Sequence, residues 1–404
     1  RCRAPIASLD CMDDFTGGMA VSRQMSTYMG NHATIPSTVT PGLRYKNLGK
    51  SGLRVPNVGL GLWTTQADVD TETIIEIALD HGINLFDLSE AHSDLDLSRV
   101  LKRRGLKRSS VIVTLKVYWS TKSDERGLSR KHIVETVQNA LTRLNMDYID
   151  VVLLHKVDPI CPMEVRTMTY IINQGWVMYW GTARWSPSEI MEAFTNCRQF
   201  NCVTPIVEQT EYHMFCREKA ELYMPELYHK IGVGKDAFAH LLFLILFYNL
   251  DWLSLKNRLG PKFDDIHKHC LQQQLRISGS KEQVAAAEES RPNSEKIRDL
   301  VSLASTLNCT LSQLAVAWCL KNESVNCLLL GAYDIGTFKE NIHALQIVPQ
   351  LTPVVMAEIE NVLANKPLRP PMVSTLAMRQ QNIVRLDMTL VSISFNLKFT
   401  RSRS

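Results

Sequence analysis

The sequence is poor in the features that mark several protein classes. None of its ten cysteines forms a CxxC pair, and none stands at a ligand-like spacing from a histidine, which argues against a zinc site or a redox dithiol. The longest unbroken apolar run, "LLFLILFY" at 241–248, is far shorter than the roughly 20 residues that cross a bilayer, so no transmembrane helix is expected. A net charge of +4 spread over 404 residues offers no basic surface for nucleic acid. No secretory signal opens the chain, so its thiols are expected to be reduced, cytosolic and packed mostly as small apolar groups. The first residue is arginine, and a natural start further upstream is expected. No GxGxxG follows the first apolar run, which weakens a doubly wound dinucleotide-binding sheet as the fold.

What is present is an alternation of two periods. Residues 1–42 are rich in Ser, Thr, Gly and Met, lack apolar periodicity and end on "TIPSTVTPG", so they read as a flexible arm. "LRYKNLGKSGLRV" from Leu43 reads as a hairpin turning at Gly-Lys-Ser-Gly. Short apolar runs follow at 57–61, 83–87, 111–116, 148–154, 177–182, 205–209, 230–234 and 325–331, each the length of a buried strand. Helix signals lie between them. Ile133, Val137, Leu141 and Leu144 share one face after Ser129, and Ser186-Pro187 with Glu189 and Thr310 with Gln313 form capping boxes. Thr352 before Pro353 caps a last helix to about Asn365. Eight strands alternating with helices predict an α/β fold, a (β/α)8 TIM barrel with an N-terminal hairpin, over residues 43–378.

Two stretches break that pattern. Residues 235–293 run through "KDAFAHLLFLILFYNL" into a polar segment and read as a divergent insert or a disrupted stretch. A seventh strand without its normal exit would leave the barrel open between strands six and eight. The C-terminal extension, 379–404, carries "VSISFNLKF" with strand periodicity after the barrel should have closed.

In such a barrel the active site lies at the C-terminal ends of the strands. Asp87 closes the second run, Lys116 closes the third in "VIVTLK", and His155 follows the fourth in "VVLLHK". A carboxylate beside an ammonium in an apolar mouth stabilises both charges and lowers the pKa of a neighbouring proton donor. A metal held by Asp87, His92 and His155 is disfavoured by the Lys116 ammonium, so no metal site is expected. Trp176, Trp180 and Trp185 are expected to pack in the core or at the rim.

These residues, with "GINLFD", "STKSDERGLSRKHI", "INQGW", "YWGTARWSPSEIMEA" and "EQTEYHMF", resemble the aldo-keto reductases, and within them the voltage-gated potassium channel beta subunits, the insect form most of all. The resemblance runs from about Leu43 to Gly234 and resumes from about Glu295 to Arg379. It implies a catalytic tetrad at Asp87, His92, Lys116 and His155, with His92 at the position of the family's proton-donating tyrosine. Turnover is then expected to be slow or absent. The resemblance further implies NADPH as cofactor, held by Trp63, Asp87, Arg184, Gln209, Gly331, Glu340 and Asn341. It departs from the family after "KIGVG", where a diphosphate-clasping loop is replaced, and at Tyr333, where a small hydroxyl is expected. The implied partner is the cytoplasmic tetramerisation domain of a voltage-gated potassium channel alpha subunit, bound by a homotetramer at the inner face of the plasma membrane. A free-standing carbonyl reductase and a nucleotide-free scaffold are the alternatives.

Overall fold

The computed structural model describes residues 40–62, 70–90, 95–118, 127–161, 165–238, 295–332 and 334–368. Trp63, His92, Tyr333, residues 1–39 of the arm expected at 1–42, residues 239–293 of the stretch expected to diverge at 235–293, and the whole extension expected at 379–404 therefore lie outside the described residues.

The hairpin forms as expected. β1 (Tyr45–Asn47) pairs antiparallel with β2 (Arg54–Pro56). Gly49 in its turn has φ +56°, and a Cβ there would stand 2.6 Å from Gly232 O and from Gly234 N. Only glycine permits both that backbone and that approach. Leu48 and Val55 join the barrel's inner cluster, so the hairpin caps the N-terminal end of the barrel.

Eight parallel strands then close on themselves: β3 (Val58–Gly61), β4 (Leu85–Ser89), β5 (Ile112–Val117), β6 (Ile149–His155), β7 (Val177–Ala183), β8 (Val207–Glu211), β9 (Gly234–Phe238) and β10 (Cys327–Gly331). β10 pairs with β3 on one side and β9 on the other, which completes the barrel and excludes the doubly wound alternative. The expected opening between the sixth and eighth strands is absent, because β9 pairs with both β8 and β10.

The seventh strand is not where its apolar run placed it. Residues 230 and 231 end a helix, Met224–Ile231, which stops at Gly232 in the left-handed conformation, φ 76°. The apolar run "KIGVG" is a helix end with a glycine cap, and the strand takes up the first four residues of the stretch expected to diverge. β4 likewise runs two residues past Asp87.

The helices α1 (Thr71–Asp80), α2 (Leu95–Arg104), α3 (Arg130–Leu144), α4 (Val165–Asn173), α5 (Pro187–Gln199), α6 (Met224–Ile231), α7 (Glu295–Thr306), α8 (Leu311–Lys321), α9 (Ile335–Ile347) and α10 (Pro353–Leu363) pack outside the strands. Ser129 caps α3, capping boxes open α5 and α8, and Thr352 caps α10 ahead of Pro353. Two apolar layers result. Leu85, Ile112, Val151, Leu153, Ala183, Val207, Cys327 and Leu329 fill the barrel, while Phe86, Val113, Val152, Trp180 and Leu328 face the helices. Trp180 and Trp185 are fully buried, and Trp176 packs against the same cluster. Among the described residues all cysteines are free thiols, and no single helix is long and apolar enough to cross a membrane.

Candidate active site

Side chains alternate along a strand, so residues two apart share a face. Leu85 faces the barrel interior, and so, two residues on, does Asp87. The same step leads from Ile112 through Thr114 to Lys116, from Leu153 to His155, and from Val207 to Gln209. Four strands thus end their apolar inner rows in a polar residue, all at the C-terminal side. That is the physical reason an aspartate can sit at 0% exposure in β4.

The polar layer is connected. Lys116 Nζ lies 2.5 Å from Asp87 Oδ2 and donates to Gln209 Oε1 at 3.0 Å. Gln209 Nε2 donates to Asp87 Oδ2 at 3.3 Å, and Thr114 Oγ1 donates to Asp87 Oδ1. The buried carboxylate therefore has both oxygens satisfied, as a charge out of water requires. The resemblance implies Gln209 only as a cofactor residue; the structure also bonds it to both members of the ion pair. Thr114 was missed, although its place two residues before Lys116 on an inward-facing row could have revealed it.

His155 stands at the end of β6 with its ring 6.2 Å from that of Tyr118, tilted by 51°. Burial, then Arg184, Lys116 and Lys156, lower its pKa to about 2. The imidazole is neutral at physiological pH and presents one N–H donor and one acceptor. It cannot act there as an imidazolium acid.

Around this cluster the chain leaves three successive strands through non-glycine residues at positive φ: Tyr118 (136°) after β5, Lys156 (62°) after β6 and Arg184 (61°) after β7. Backbone strain of this sort collects at functional sites. Two carboxylates hold the first and third of these exits. Glu90 accepts from Tyr118 N at 2.9 Å and from Thr136 Oγ1 at 3.0 Å, and lies 3.0 Å from His132 Nε2. Glu208, on the outward row of β8, accepts from Trp185 N at 3.1 Å and from Lys219 Nζ at 2.5 Å. Complete burial pushes the Glu208 carboxyl up, with Lys219 opposing.

The other expected cofactor residues are more dispersed. Gly331 ends β10 opposite Gly61, the last residue of β3, so the exits toward Ala332 and Leu62 lie side by side. Glu340 and Asn341 follow each other on α9, yet they differ in surroundings. The Glu340 carboxylate accepts from Thr310 Oγ1, the N-cap of α8. Asn341 is buried, and among the described residues its Oδ1 has no hydrogen-bond partner. Leaving such an acceptor unmet costs about 1–3 kcal/mol, and a bound donor would remove that cost.

A separate cleft of about 180 Å³ between α2 and α3 is lined by Lys102, Lys107, Arg108 and Asp147. It opens beside Val111, at the start of β5, and so lies at the opposite end of the strands from the polar cluster.

A sequence model described as the Aldo/keto reductase family matches residues 57–364. The match spans the whole barrel and every described residue of the polar cluster.

Proposed function

Because the chain belongs to the aldo/keto reductase family, we propose that it binds a reduced nicotinamide dinucleotide, NADPH by resemblance, and reduces small aldehydes or ketones slowly in the polar mouth of the barrel. The observation that carries this is the linked Asp87, Lys116 and Gln209 beside a neutral His155. A bound nicotinamide supplies the hydride for the carbonyl carbon. The residues supply the polar half of the chemistry. Neutral His155 donates a hydrogen bond to the carbonyl oxygen, and the Lys116–Asp87 pair orders the charge around it and favours proton release from a neighbouring donor. His92, at the sequence position of the family's proton donor, is the candidate donor. An imidazole reaches less far than a phenol, which is why turnover is slow.

The residues present fit a dinucleotide in part. The unmet Asn341 Oδ1 is an acceptor for an exocyclic amine, and Arg184 and Gln209 stand at neighbouring strand exits. Trp63, which follows β3 by two residues, would flank the nicotinamide. Saturable quenching of tryptophan fluorescence on titration with NADPH tests the reading, and a folded protein that shows no binding would sink it.

The second reading is regulatory: a homotetrameric auxiliary subunit on the cytoplasmic tetramerisation domain of a voltage-gated potassium channel, with the bound nucleotide reporting redox state. The motif run from Leu43 to Gly234 supports it, as does the histidine in place of the proton-donating tyrosine. Capture of the purified full chain by an isolated channel tetramerisation domain tests it, and failure to bind any such domain would remove it.

A further inference from the structure

The rim of the site carries a cation that carbonyl reduction does not use. β6 and β7 pair with His155 opposite Ala183, so the next residues, Lys156 and Arg184, leave neighbouring strands side by side. Paired strands lie about 5 Å apart, which sets the separation of these two backbones. Both turn through the left-handed region, and both turns are held by the barrel itself. Lys156 N donates to Ala183 O at 2.8 Å, and Arg184 N donates to Gln209 O at 3.0 Å.

The Lys156 side chain is half-buried and makes no hydrogen bond or ion pair among the described residues. Its charged neighbour is the Arg184 guanidinium, and burial followed by that like charge holds its ammonium below the ordinary value. Asp87, the carboxylate of the polar cluster, is already taken by Lys116, Thr114 and Gln209. A partly desolvated ammonium held beside a guanidinium is stabilised by an anion placed against it.

We propose that Lys156, with Arg184 beside it, is an oxyanion-binding subsite next to His155 that takes the carboxylate or phosphate of an anionic carbonyl substrate, or a phosphate of the dinucleotide. The proposal deepens the reductase reading, on which its substrate half rests. If the anion is the substrate's, it lies within about one side-chain length of the carbonyl that His155 polarises. Aldehydes bearing an acid group are then preferred over neutral ones.

The test is calorimetric titration of the full chain, with and without NADP+, using 4-carboxybenzaldehyde and 4-methylbenzaldehyde, and separately using NADPH. The proteins are the native chain, Lys156→Met, Lys156→Arg and Lys156→Asn; asparagine tolerates the left-handed backbone and guards against a variant that fails to fold. The native chain should bind the carboxylated aldehyde about tenfold more tightly than the methyl analogue, both neutral variants should erase that preference, and Lys156→Arg should keep it. Unchanged NADPH affinity then assigns the anion to the substrate. A loss of NADPH affinity of about tenfold with the aldehydes unaffected assigns it to a dinucleotide phosphate. If both neutral variants change neither ligand, the subsite is overturned. Carboxylate discrimination in a chain that does not bind NADPH upholds the subsite and removes the reductase reading. Normal NADPH binding with Lys156 indifferent to every ligand does the reverse.

Discussion

Lys116 Nζ lies 2.5 Å from Asp87 Oδ2 across the β4–β5 ladder, with the lysine side chain 10% exposed and the aspartate wholly buried. The register explains the contact: Asp87 is paired with Thr114, one inward step before Lys116, so the long lysine side chain spans the remaining distance diagonally. Breaking a buried pair from one side strands the other charge. Asp87→Asn should therefore lower unfolding free energy by about 3–5 kcal/mol in urea. The double variant Asp87→Leu with Lys116→Met should recover much of that loss. Equal destabilisation by single and double variants would mean that packing, and not charge, holds this layer.

The second prediction concerns the proton donor. His92→Tyr should raise aldehyde reduction by about 10²–10⁴-fold, the range a well-placed general acid contributes. Native activity equal to or above that of the tyrosine variant would show that His92 is itself an effective donor and would strengthen the enzyme reading over the regulatory one.

His155 couples stability to pH. Its folded pKa is about 2, and its unfolded value is about 6.5. Between these values the unfolded chain binds a proton that the folded chain does not. Its contribution is fully present above the unfolded value and is lost as pH falls, with a slope of about 1.4 kcal/mol per pH unit. Urea unfolding from about pH 7.5 down to about pH 5 should show the native chain's stability falling more steeply below about pH 6.5, and His155→Gln should lack that added steepness. Parallel slopes would contradict a buried neutral imidazole.

Asn341→Leu should separate fold from ligand. Removing the unmet Oδ1 relieves a buried acceptor, so the melting temperature should hold or rise, while NADPH affinity should fall by about tenfold. A fall in both would mean that the asparagine serves packing alone.

At the other end of the barrel, Gly49→Ala meets Gly232 O and Gly234 N and must also hold a left-handed backbone. It should cost about 1–3 kcal/mol in urea unfolding with little effect on NADPH binding, because the hairpin turn seats the start of β9 and lies far from the strand exits. Loss of nucleotide binding at full occupancy of the fold would show that this seat controls the mouth.

Much of this protein was determined by sequence alone, and for local reasons. The capping boxes at Ser186 and Thr310, the Thr352–Pro353 start and the Gly-Lys-Ser-Gly turn are contacts between residues a few positions apart, so neighbours in the chain suffice to specify them. The eight-strand rhythm is equally legible, because buried strands must be short and apolar. Asp87, Lys116 and His155 stand out because charge is rare at the end of such runs. Tertiary structure decided the rest. The apolar run at 230–234 ends a helix at Lys230–Ile231, whereas the strand Gly234–Phe238 carries Lys235 and Asp236, and only pairing with both β8 and β10 resolves which residues close the barrel. Gln209 becomes part of the ion pair because barrel closure brings β8 across from β4 and β5, a contact 122 residues apart in the chain. The charge state of His155 and the lowered pKa of the Lys156 ammonium were likewise settled by burial and by which cations the neighbouring strands deliver, quantities that no local pattern encodes.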